Sequence, residues 1–174
     1  MRIEQLMTRF PRTCGVKLSL GEAARLMLEN GCGCLPVTAE DGSGRLVGMI
    51  TDRDICMAAE SQGKALRELL VGDAMEPVVW ACNPEDSIDE AEEIMREVGV
   101  RRLPVVDGLD RLLGVLSLTD LAREALRQRG SKQPEISVGE VGELLASICE
   151  RSHEKRADPS RNRRGEVSYE ASKR

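Results

Sequence analysis

Two stretches of the chain have the hydrophobic spacing of an amphipathic helix. In residues 20–30 and again in residues 88–98, apolar side chains recur at intervals of three and four positions, which places them on one helical face. Each stretch follows a serine, Ser19 or Ser87, with a glutamate three positions later, the pattern of a capping box. Each stretch ends at a glycine suited to left-handed backbone. The pattern predicts two similar helices, 68 positions apart.

Short apolar runs on either side of each helix predict strands. A polar, glycine-containing turn separates the two runs that follow each helix, which is typical of a β-hairpin, and another helix is expected to begin after the hairpin. Each copy is therefore predicted to run strand, helix, strand, strand, helix, a mixed α/β (α+β) arrangement. The predicted strands are 12–16, 34–38 and 45–50 in the first copy and 78–82, 103–106 and 111–116 in the second.

The two copies also match residue by residue. Eight residues between 19 and 37 recur 68 positions later, whereas the matches further along recur after 66. The second copy therefore lacks two residues of a turn, as loops allow and cores do not. The later matches are Gly48 with Gly114, Thr51 with Ser117, and Asp54 with Asp120.

The repeat divides the chain into segments. Residues 1–71 are expected to form a first domain that ends in a connecting helix over 62–71, and residues 72–128 a second domain. The two domains are expected to share one core, because each is near the lower size limit for folding alone. Residues 129–150 contain a further capping box and apolar stripe, which predict an appended helix that packs on the chain's own core or on a partner chain. Residues 151–174 are expected to be a flexible, disordered basic tail.

Charge and composition argue against nucleic-acid and membrane partners. The net charge is −5, and because residues 151–174 carry eight basic and four acidic side chains, the remaining body has a charge of −9. Such an acidic body disfavours nucleic acid, and aromatic residues that stack on bases make up only 2% of the chain. The tail is either a solvated terminus or a contact for a polyanion. No apolar run has the length of a signal peptide or a membrane span, so we expect a cytoplasmic protein.

Candidate catalytic and metal-binding residues are scarce. The six cysteines match no zinc spacing, so reduced, mostly buried thiols and no metal are expected. The single histidine, His153, lies in the expected tail, and no P-loop or nucleophile elbow is present in the sequence. We therefore expect a protein that is not an enzyme.

A repeated motif at the start of the second helix of each copy is the main candidate for chemistry. It contains a glycine, two apolar residues, a hydroxyl residue, two variable residues and an acid. In one interpretation, Thr51 or Ser117 caps the helix and Asp54 or Asp120 completes a capping box. In the other, the helix start and the hydroxyl bind phosphate, the acid accepts hydrogen bonds from ribose, and Arg53 adds a charge-assisted contact. The two interpretations are compatible.

With these residues the chain resembles a tandem pair of cystathionine β-synthase (CBS) domains, also called a Bateman module, over roughly residues 1–128. The resemblance is carried by matching segments of the two copies. In the first copy they are Met7-Thr8, the helix from Ser19, Leu35-Pro36-Val37 and Gly48 to Ile55, and in the second Met75, the helix from Ser87, Leu103 to Asp107 and Gly114 to Leu121.

This resemblance implies two three-stranded sheets packed with four helices, arranged as a pseudo-twofold pair with two clefts between the copies. Similar proteins bind AMP, ADP, ATP or S-adenosylmethionine in such clefts, with the motif hydroxyl near phosphate and the motif acid on ribose. The adenine lies against the first strand and the strand that contains the proline. The implied nucleotide-binding residues are Thr13, Cys14, Cys34, Leu35, Pro36, Thr51, Arg53 and Asp54 in the first copy and Ala81, Cys82, Arg102, Leu103, Pro104, Ser117 and Asp120 in the second.

The copies differ at positions that bear on binding. The arginine of the first motif, Arg53, has no counterpart in the second, so the two clefts are not expected to bind equally. On this basis Asp54→Ala is expected to weaken binding more than Asp120→Ala does. Two arginines of the second copy, Arg101 and Arg102, either supply positive charge near the second cleft or lie on a solvated face.

These features predict a regulatory module that senses energy state or a metabolite by binding an adenosine nucleotide and that acts on a separate partner protein. No cofactor is required, and the resemblance implies a homodimer. The alternative is a ligand-free dimeric scaffold for protein interaction, in which the motif acids serve only as helix caps. In that case the appended helix or the tail recruits another protein.

Overall fold

The computed structural model describes residues 1–154 and 166–168, so most of the expected disordered tail lies outside the described residues. The described residues form mixed α+β structure, as predicted. The helices are α1 Leu20–Glu29, α2 Asp52–Gln62, α3 Val71–Ala74, α4 Ile88–Val98, α5 Leu118–Arg127 and α6 Val138–Glu154. The strands are β1 Thr8–Arg9, β2 Cys14–Gly15, β3 Cys34–Thr38, β4 Leu46–Thr51, β5 Val78–Trp80, β6 Arg102–Val106, β7 Leu112–Ser117 and β8 Glu166–Ser168.

The chain divides into two compact units whose boundaries differ from those of the sequence repeat. The first-copy unit contains residues 10–79 and 108–112, and β8 is assigned to it. The second-copy unit contains residues 1–9, 80–107 and 113–154 of the described chain. The first nine residues, which the sequence assigned to the first domain, therefore pack with the second copy.

In the first-copy unit, β3 lies at the centre of a three-stranded sheet. β2 pairs with β3 in parallel and β4 pairs with it antiparallel. On the outer side of β4, Glu76 and Met49 exchange two backbone hydrogen bonds, of 2.8 and 3.0 Å. The segment that precedes the second copy thus forms the edge of the first sheet.

The second-copy unit repeats this arrangement. Its sheet has the order β1, β7, β6, and Thr8 of β1 lies opposite Val115 of β7 in an antiparallel pair. On the other side of β6, Cys82 bridges Val105 in parallel. The segment that precedes the first copy therefore forms the edge of the second sheet. We call Met7-Thr8 and Met75-Glu76 the leading segments.

The expectation of one shared core is wrong, because the buried apolar residues form two separate aliphatic clusters. The cluster of the first-copy unit includes Leu20, Leu35 and Ile50, and that of the second-copy unit includes Leu103 and Leu116. The second cluster also contains Ile3 and Met7 from the chain start and residues from α6. These additions enlarge the second-copy unit beyond residues 71–127, which matters because small domains bury too little apolar surface on folding.

The predicted helix starts are confirmed, whereas the predicted connecting helix over 62–71 is not formed. The hydroxyl–acid pairs at the starts of α1, α2, α4 and α5 all make reciprocal capping boxes. Gly63 adopts a left-handed conformation with φ of 60° and ends α2. The chain then forms a short 3₁₀ helix over Leu66–Glu68 and becomes extended at Leu69 and Leu70. There the N–H of Leu20 donates to Leu69 at 2.8 Å and that of Val71 donates to Leu18 at 2.9 Å. These external partners replace the hydrogen bonds of a helix.

Helix α6 packs on α4 and α5 within the second-copy unit. Its residues Val141, Leu144 and Ile148 are buried in the unit's core, which confirms the prediction that its apolar stripe packs on the chain itself. The helix extends to Glu154, beyond the predicted end at residue 150. On its outer face Val138 and Leu145 stay largely exposed.

Candidate functional site

The sequence-predicted site residues fall into two groups, each inside one unit. We call the eight residues of the first copy the first half-site and the seven of the second copy the second half-site. The structure brings the strand and helix residues of each half-site to the same sheet. Both half-sites contain two strand segments and the start of the helix that follows the third strand.

Strand register places the parts of the first half-site. Cys34, the first residue of β3, lies opposite Thr51, the last residue of β4. Cys14 of β2 lies beside Val37, three residues further along β3. At a rise of roughly 3.3 Å per residue, the half-site therefore extends about 10 Å along β3. That length suits a nucleoside better than a single small ion.

The start of α2 is closed by hydrogen bonds within the motif. The Thr51 hydroxyl donates to Asp54 Oδ2 at 2.7 Å and accepts from the Asp54 N–H at 3.2 Å. The Thr51 N–H donates to the same Oδ2 at 2.8 Å. The next two amides are also satisfied, since Asp52 donates to the Gly33 carbonyl at 3.1 Å and Arg53 donates to Asp52 Oδ1 at 2.8 Å.

The start of α5 has the same cap. The Ser117 hydroxyl donates to Asp120 Oδ2 at 2.6 Å and accepts from the Asp120 N–H at 3.2 Å. The Leu118 N–H donates to the Arg101 carbonyl at 2.9 Å, as Asp52 does to Gly33 in the first copy. No side chain of α5 repeats the role of Asp52, because leucine occupies that position.

These bonds bear out the capping interpretation and limit how the motif meets a ligand. Each motif hydroxyl gives its single proton to the acid, so a phosphate oxygen must compete with that carboxylate to accept it. The described hydrogen bonds of Asp54 and Asp120 all use Oδ2. The Oδ1 atom of each acid is the oxygen through which ribose hydroxyls can bind while the cap persists.

Several strand residues of the half-sites are buried. Leu35 and Leu103 are fully buried, main chain included, so they support the half-sites from within the cores of their units. The buried thiols of Cys14 and Cys82 donate to the carbonyls of the proline residues on the neighbouring strand, with sulfur–oxygen distances of 4.0 and 3.6 Å. Burial raises the pKa of both thiols to about 12, so they remain protonated at neutral pH.

The charge around the two helix starts differs. In the first copy, a Cβ atom on Gly33 would lie 2.9 Å from Asp52 Oδ2, so the acid of α2 occupies the space above this glycine. In the second copy the corresponding position is Arg101, and Arg102 follows it. Acidic side chains in the first turn are Asp52 and Asp54 in α2 but only Asp120 in α5.

Sequence reasoning missed a contact between the second copy and α6. Arg101 Nη2 lies 3.7 Å from Cys149 Sγ of α6. The one sequence feature that could have indicated this contact is the presence of Arg101 where the first copy has Gly33. Sequence reasoning also missed two buried carboxyl groups, Glu92 of α4 and Glu124 of α5, which are 9% and 7% exposed.

Other features of the described residues lie away from the half-sites. A polar surface cavity of about 490 Å³ in the second-copy unit is lined by Arg127, Gln128 and Glu135 among others, and no half-site residue lines it. Within residues 1–154 and 166–168, no three histidine, cysteine or acidic side chains form a group that could hold a metal ion. No helix in this part of the chain has the length and apolar character that a membrane crossing needs.

Comparison with known proteins identifies the repeat. The model of the CBS domain matches residues 3–61 and 71–127. The chain is similar to the CBS domain-containing protein YhcV of Bacillus subtilis, with 34% identity over 120 residues that cover 69% of this chain and 82% of that protein.

Two solved structures share the fold. The CBS domain pair of protein MJ0100, in complex with 5′-methylthioadenosine and S-adenosyl-L-methionine, is 26% identical with a TM-score of 0.63, covering 71% of this chain and 98% of that one. The structure of CBSX2 in complex with AMP is also 26% identical, with a TM-score of 0.64, covering 74% of this chain and 98% of that one.

Proposed function

We propose that this chain, which belongs to the family of CBS-domain proteins, is a regulatory module that binds an adenosine nucleotide and acts on a separate partner protein. The observation that carries the proposal is the same hydroxyl–carboxylate pair at the starts of α2 and α5. Each helix start is also held by a backbone hydrogen bond to the residue just before the leucine–proline strand, Gly33 or Arg101. The AMP and S-adenosyl-L-methionine in the two related structures support an adenosine ligand.

The groups within the half-sites suit binding better than catalysis. Each motif hydroxyl already donates to the carboxylate of its own capping box. Neither group can act as a nucleophile or a general base on a substrate without giving up this hydrogen bond. We therefore propose a non-catalytic module that requires no cofactor.

We infer that the second half-site binds a phosphate-bearing ligand more tightly than the first, which reverses the order expected from Arg53 alone. Asp52 adds a carboxylate at the start of α2, close to where phosphate would lie. The backbone of Arg101 lies at the start of α5, where its carbonyl accepts a hydrogen bond from Leu118, so its exposed side chain starts within reach of a phosphate there. Opposite charge near a binding site stabilises an anion and like charge destabilises it.

Calorimetry with AMP, ADP, ATP and S-adenosylmethionine tests the proposal. Asp120→Asn and Asp54→Asn each remove the charge of one motif acid while keeping an acceptor for the cap. Loss of a hydrogen bond to a charged group costs about 1.5–3 kcal/mol, so we expect a 10- to 100-fold weaker nucleotide affinity, larger for Asp120→Asn. Absence of heat with every adenosine compound would overturn the function.

Matched controls separate ligand binding from helix capping. Glu22→Gln and Glu90→Gln remove the same type of carboxylate from the capping boxes of α1 and α4, which are not part of either half-site. If these variants weakened nucleotide binding as much as Asp54→Asn and Asp120→Asn, the motif acids would act only as caps. That result would favour the ligand-free scaffold.

We propose that the module forms a homodimer through α1 and α2. These two helices contact each other, and they expose Leu28 and Met57 to 83% and 56%. Their counterparts in the second copy, α4 and α5, are covered by α6, so a helix already packs on that surface in the same chain. We propose a second copy of the chain as the occupant here. Sedimentation of Leu28→Glu, with Leu109→Glu as an exposed control in a turn, tests the dimer.

We propose a cytoplasmic location. All six cysteines lie in the described part of the chain and none forms a disulfide. Unpaired thiols are typical of a reducing compartment. The partner protein that the module regulates is expected in the same compartment.

A further inference from the structure

We propose that α6 is the output element of the second half-site and that Arg101 couples the two, an inference that rests on the proposed function. The Arg101 guanidinium holds α6 through Cys149. A phosphate-bearing nucleotide takes over this guanidinium, and α6 thereby loses one of its attachments. Ligand occupancy then changes how firmly α6 packs on the unit and how readily a partner protein meets it.

Arg101 is placed between the two elements by its backbone and its side chain. Its carbonyl oxygen accepts the hydrogen bond of Leu118 at the start of α5, at 2.9 Å. Its Nη2 atom lies 3.7 Å from Cys149 Sγ on α6. One residue therefore contacts both the helix start that carries Ser117 and the appended helix. The first copy has glycine at this position, so only the second half-site has such a link.

The contact with Cys149 is one that a phosphate can replace. A thiol is a weak acceptor, whereas a hydrogen bond from a guanidinium to a phosphate is charge-assisted and about twice as strong as a neutral one. The Arg101 side chain is exposed, so it can change rotamer without repacking the core. Transfer of the guanidinium from sulfur to phosphate is therefore favourable once a nucleotide is bound.

The surface on which α6 packs contains a buried carboxyl group. Glu92 of α4 is only 9% exposed, and its partner Arg96 lies 3.9 Å away. Burial raises the pKa of Glu92, Arg96 lowers it, and Glu140 in the first turn of α6 and Asp89 raise it further. Three buried side chains of α6, Val141, Leu144 and Ile148, pack in the core of the unit.

Coupling of this kind acts in both directions. If nucleotide binding weakens the packing of α6, then loosening Arg101 from α6 strengthens nucleotide binding by the same factor. Cys149→Ala removes the acceptor on α6 and should tighten AMP binding by about five-fold, the lower end of measured couplings between sites. Cys149→Ser keeps an acceptor and should bind AMP close to wild type, and Ala146→Ser, at an exposed position of α6, is the control.

Hydrogen exchange in the full chain is the decisive experiment, with AMP and 5′-methylthioadenosine as probes. AMP carries a phosphate and 5′-methylthioadenosine does not. We expect saturating AMP to speed exchange of the α6 amides, and saturating 5′-methylthioadenosine to leave it unchanged. In Arg101→Ala the AMP effect should vanish even at saturation. In Arg102→Ala the affinity for AMP should fall, but the response of α6 at saturation should remain.

The outcomes separate this inference from the proposed function. If AMP binds by calorimetry but α6 exchange is unchanged or slower, the coupling is overturned and the nucleotide-binding function stands. If AMP still speeds exchange in Arg101→Ala, Arg101 is not the link and the inference is likewise overturned. If neither probe binds, the proposed function fails first and the coupling fails with it.

Discussion

Gly48 lies directly against Met75, since a Cβ atom placed on Gly48 would lie 2.7 Å from Met75 Sδ and 2.9 Å from the Glu76 carbonyl oxygen. Gly114 stands in the same relationship to Met7, again at 2.7 Å from sulfur. The glycine that opens each motif therefore leaves room for a leading segment. Its role is in sheet packing, separate from the ligand chemistry of the residues that follow it.

Alanine at Gly48 or Gly114 should destabilise the protein. The methionine side chain can move away, but the backbone carbonyl of the leading segment cannot move without weakening its hydrogen bonds to the sheet. We expect a loss of about 1–3 kcal/mol in the free energy of unfolding, measured by urea denaturation. Gly108→Ala is the control, because a Cβ there meets no atom within 4 Å. Equal effects at Gly48 and Gly108 would contradict this role.

Removing the charge of Asp52 should improve nucleotide binding at the first half-site. Asp52→Asn keeps an acceptor for the Arg53 N–H but removes a carboxylate from the place where phosphate would approach. Charges at a helix start contribute up to about 1 kcal/mol, so we expect up to about five-fold tighter binding of AMP. Calorimetry in an Asp120→Asn background isolates this half-site. Glu60→Gln, an exposed acid near the other end of α2, should change nothing.

Glu92→Gln should stabilise the protein at neutral pH. Burial raises the pKa of Glu92 above its ordinary value of 4.5, Arg96 lowers it, and Glu140 and Asp89 raise it further. The native state therefore binds this proton more tightly than the unfolded state, and stability falls as pH rises from 4.5 toward the raised pKa. Glutamine avoids this loss. Thermal unfolding should give a higher Tm for the variant at pH 7 and no difference near pH 4.

Glu124→Gln should have the opposite effect and destabilise the protein at neutral pH. Hydrogen bonds from Arg127 and Gln128 hold the pKa of Glu124 below its ordinary value, despite the opposing effect of burial. Its contribution to stability is present above the ordinary pKa and is lost as pH falls through the lowered one. The variant should therefore melt below wild type at pH 7, with the gap narrowing in acid. A gap that widened in acid would contradict this assignment.

The cysteines should differ in reactivity. Because burial raises the pKa of Cys14 and Cys82 to about 12, almost no thiolate forms at pH 8, and the sulfur atoms are also shielded. Cys56 of α2 is exposed. Peptide mass spectrometry after iodoacetamide treatment should find Cys56 labelled first, with Cys14 and Cys82 labelled only in denaturant. In Cys56→Ser the early labelling should disappear, and rapid labelling of Cys14 would contradict the shielding.

Local sequence patterns predicted many of the helices and strands. Hydroxyl–acid spacing gave the helix starts at Ser19, Thr51, Ser87 and Ser117, because a capping box depends only on residues three positions apart. The short apolar runs predicted β3 with its observed bounds and β4, β6 and β7 within a residue or two. Each of these elements is specified by its own short sequence.

Features that depend on distant partners could not be read in this way. The segment after Gly63 has helical composition but forms only a 3₁₀ turn over Leu66–Glu68. The backbone of Leu69 and Val71 instead binds residues near the start of α1, which interrupts a continuous helix. Arg101 and Cys149 are 48 positions apart, and only packing of α6 brings them together. The motif residues were located from the repeat, whereas the difference in charge between the half-sites required the contact of Asp52 with Gly33.

Because of the leading segments, the boundaries of the sequence repeat differ from those of the folded unit. Thr8 completes the sheet that contains β7, and Glu76 completes the sheet that contains β4. A fragment cut at the repeat boundary would keep the wrong edge and expose unpaired main chain on its last strand. A single copy expressed alone would therefore need the first residues of a second polypeptide to close its sheet in the same way.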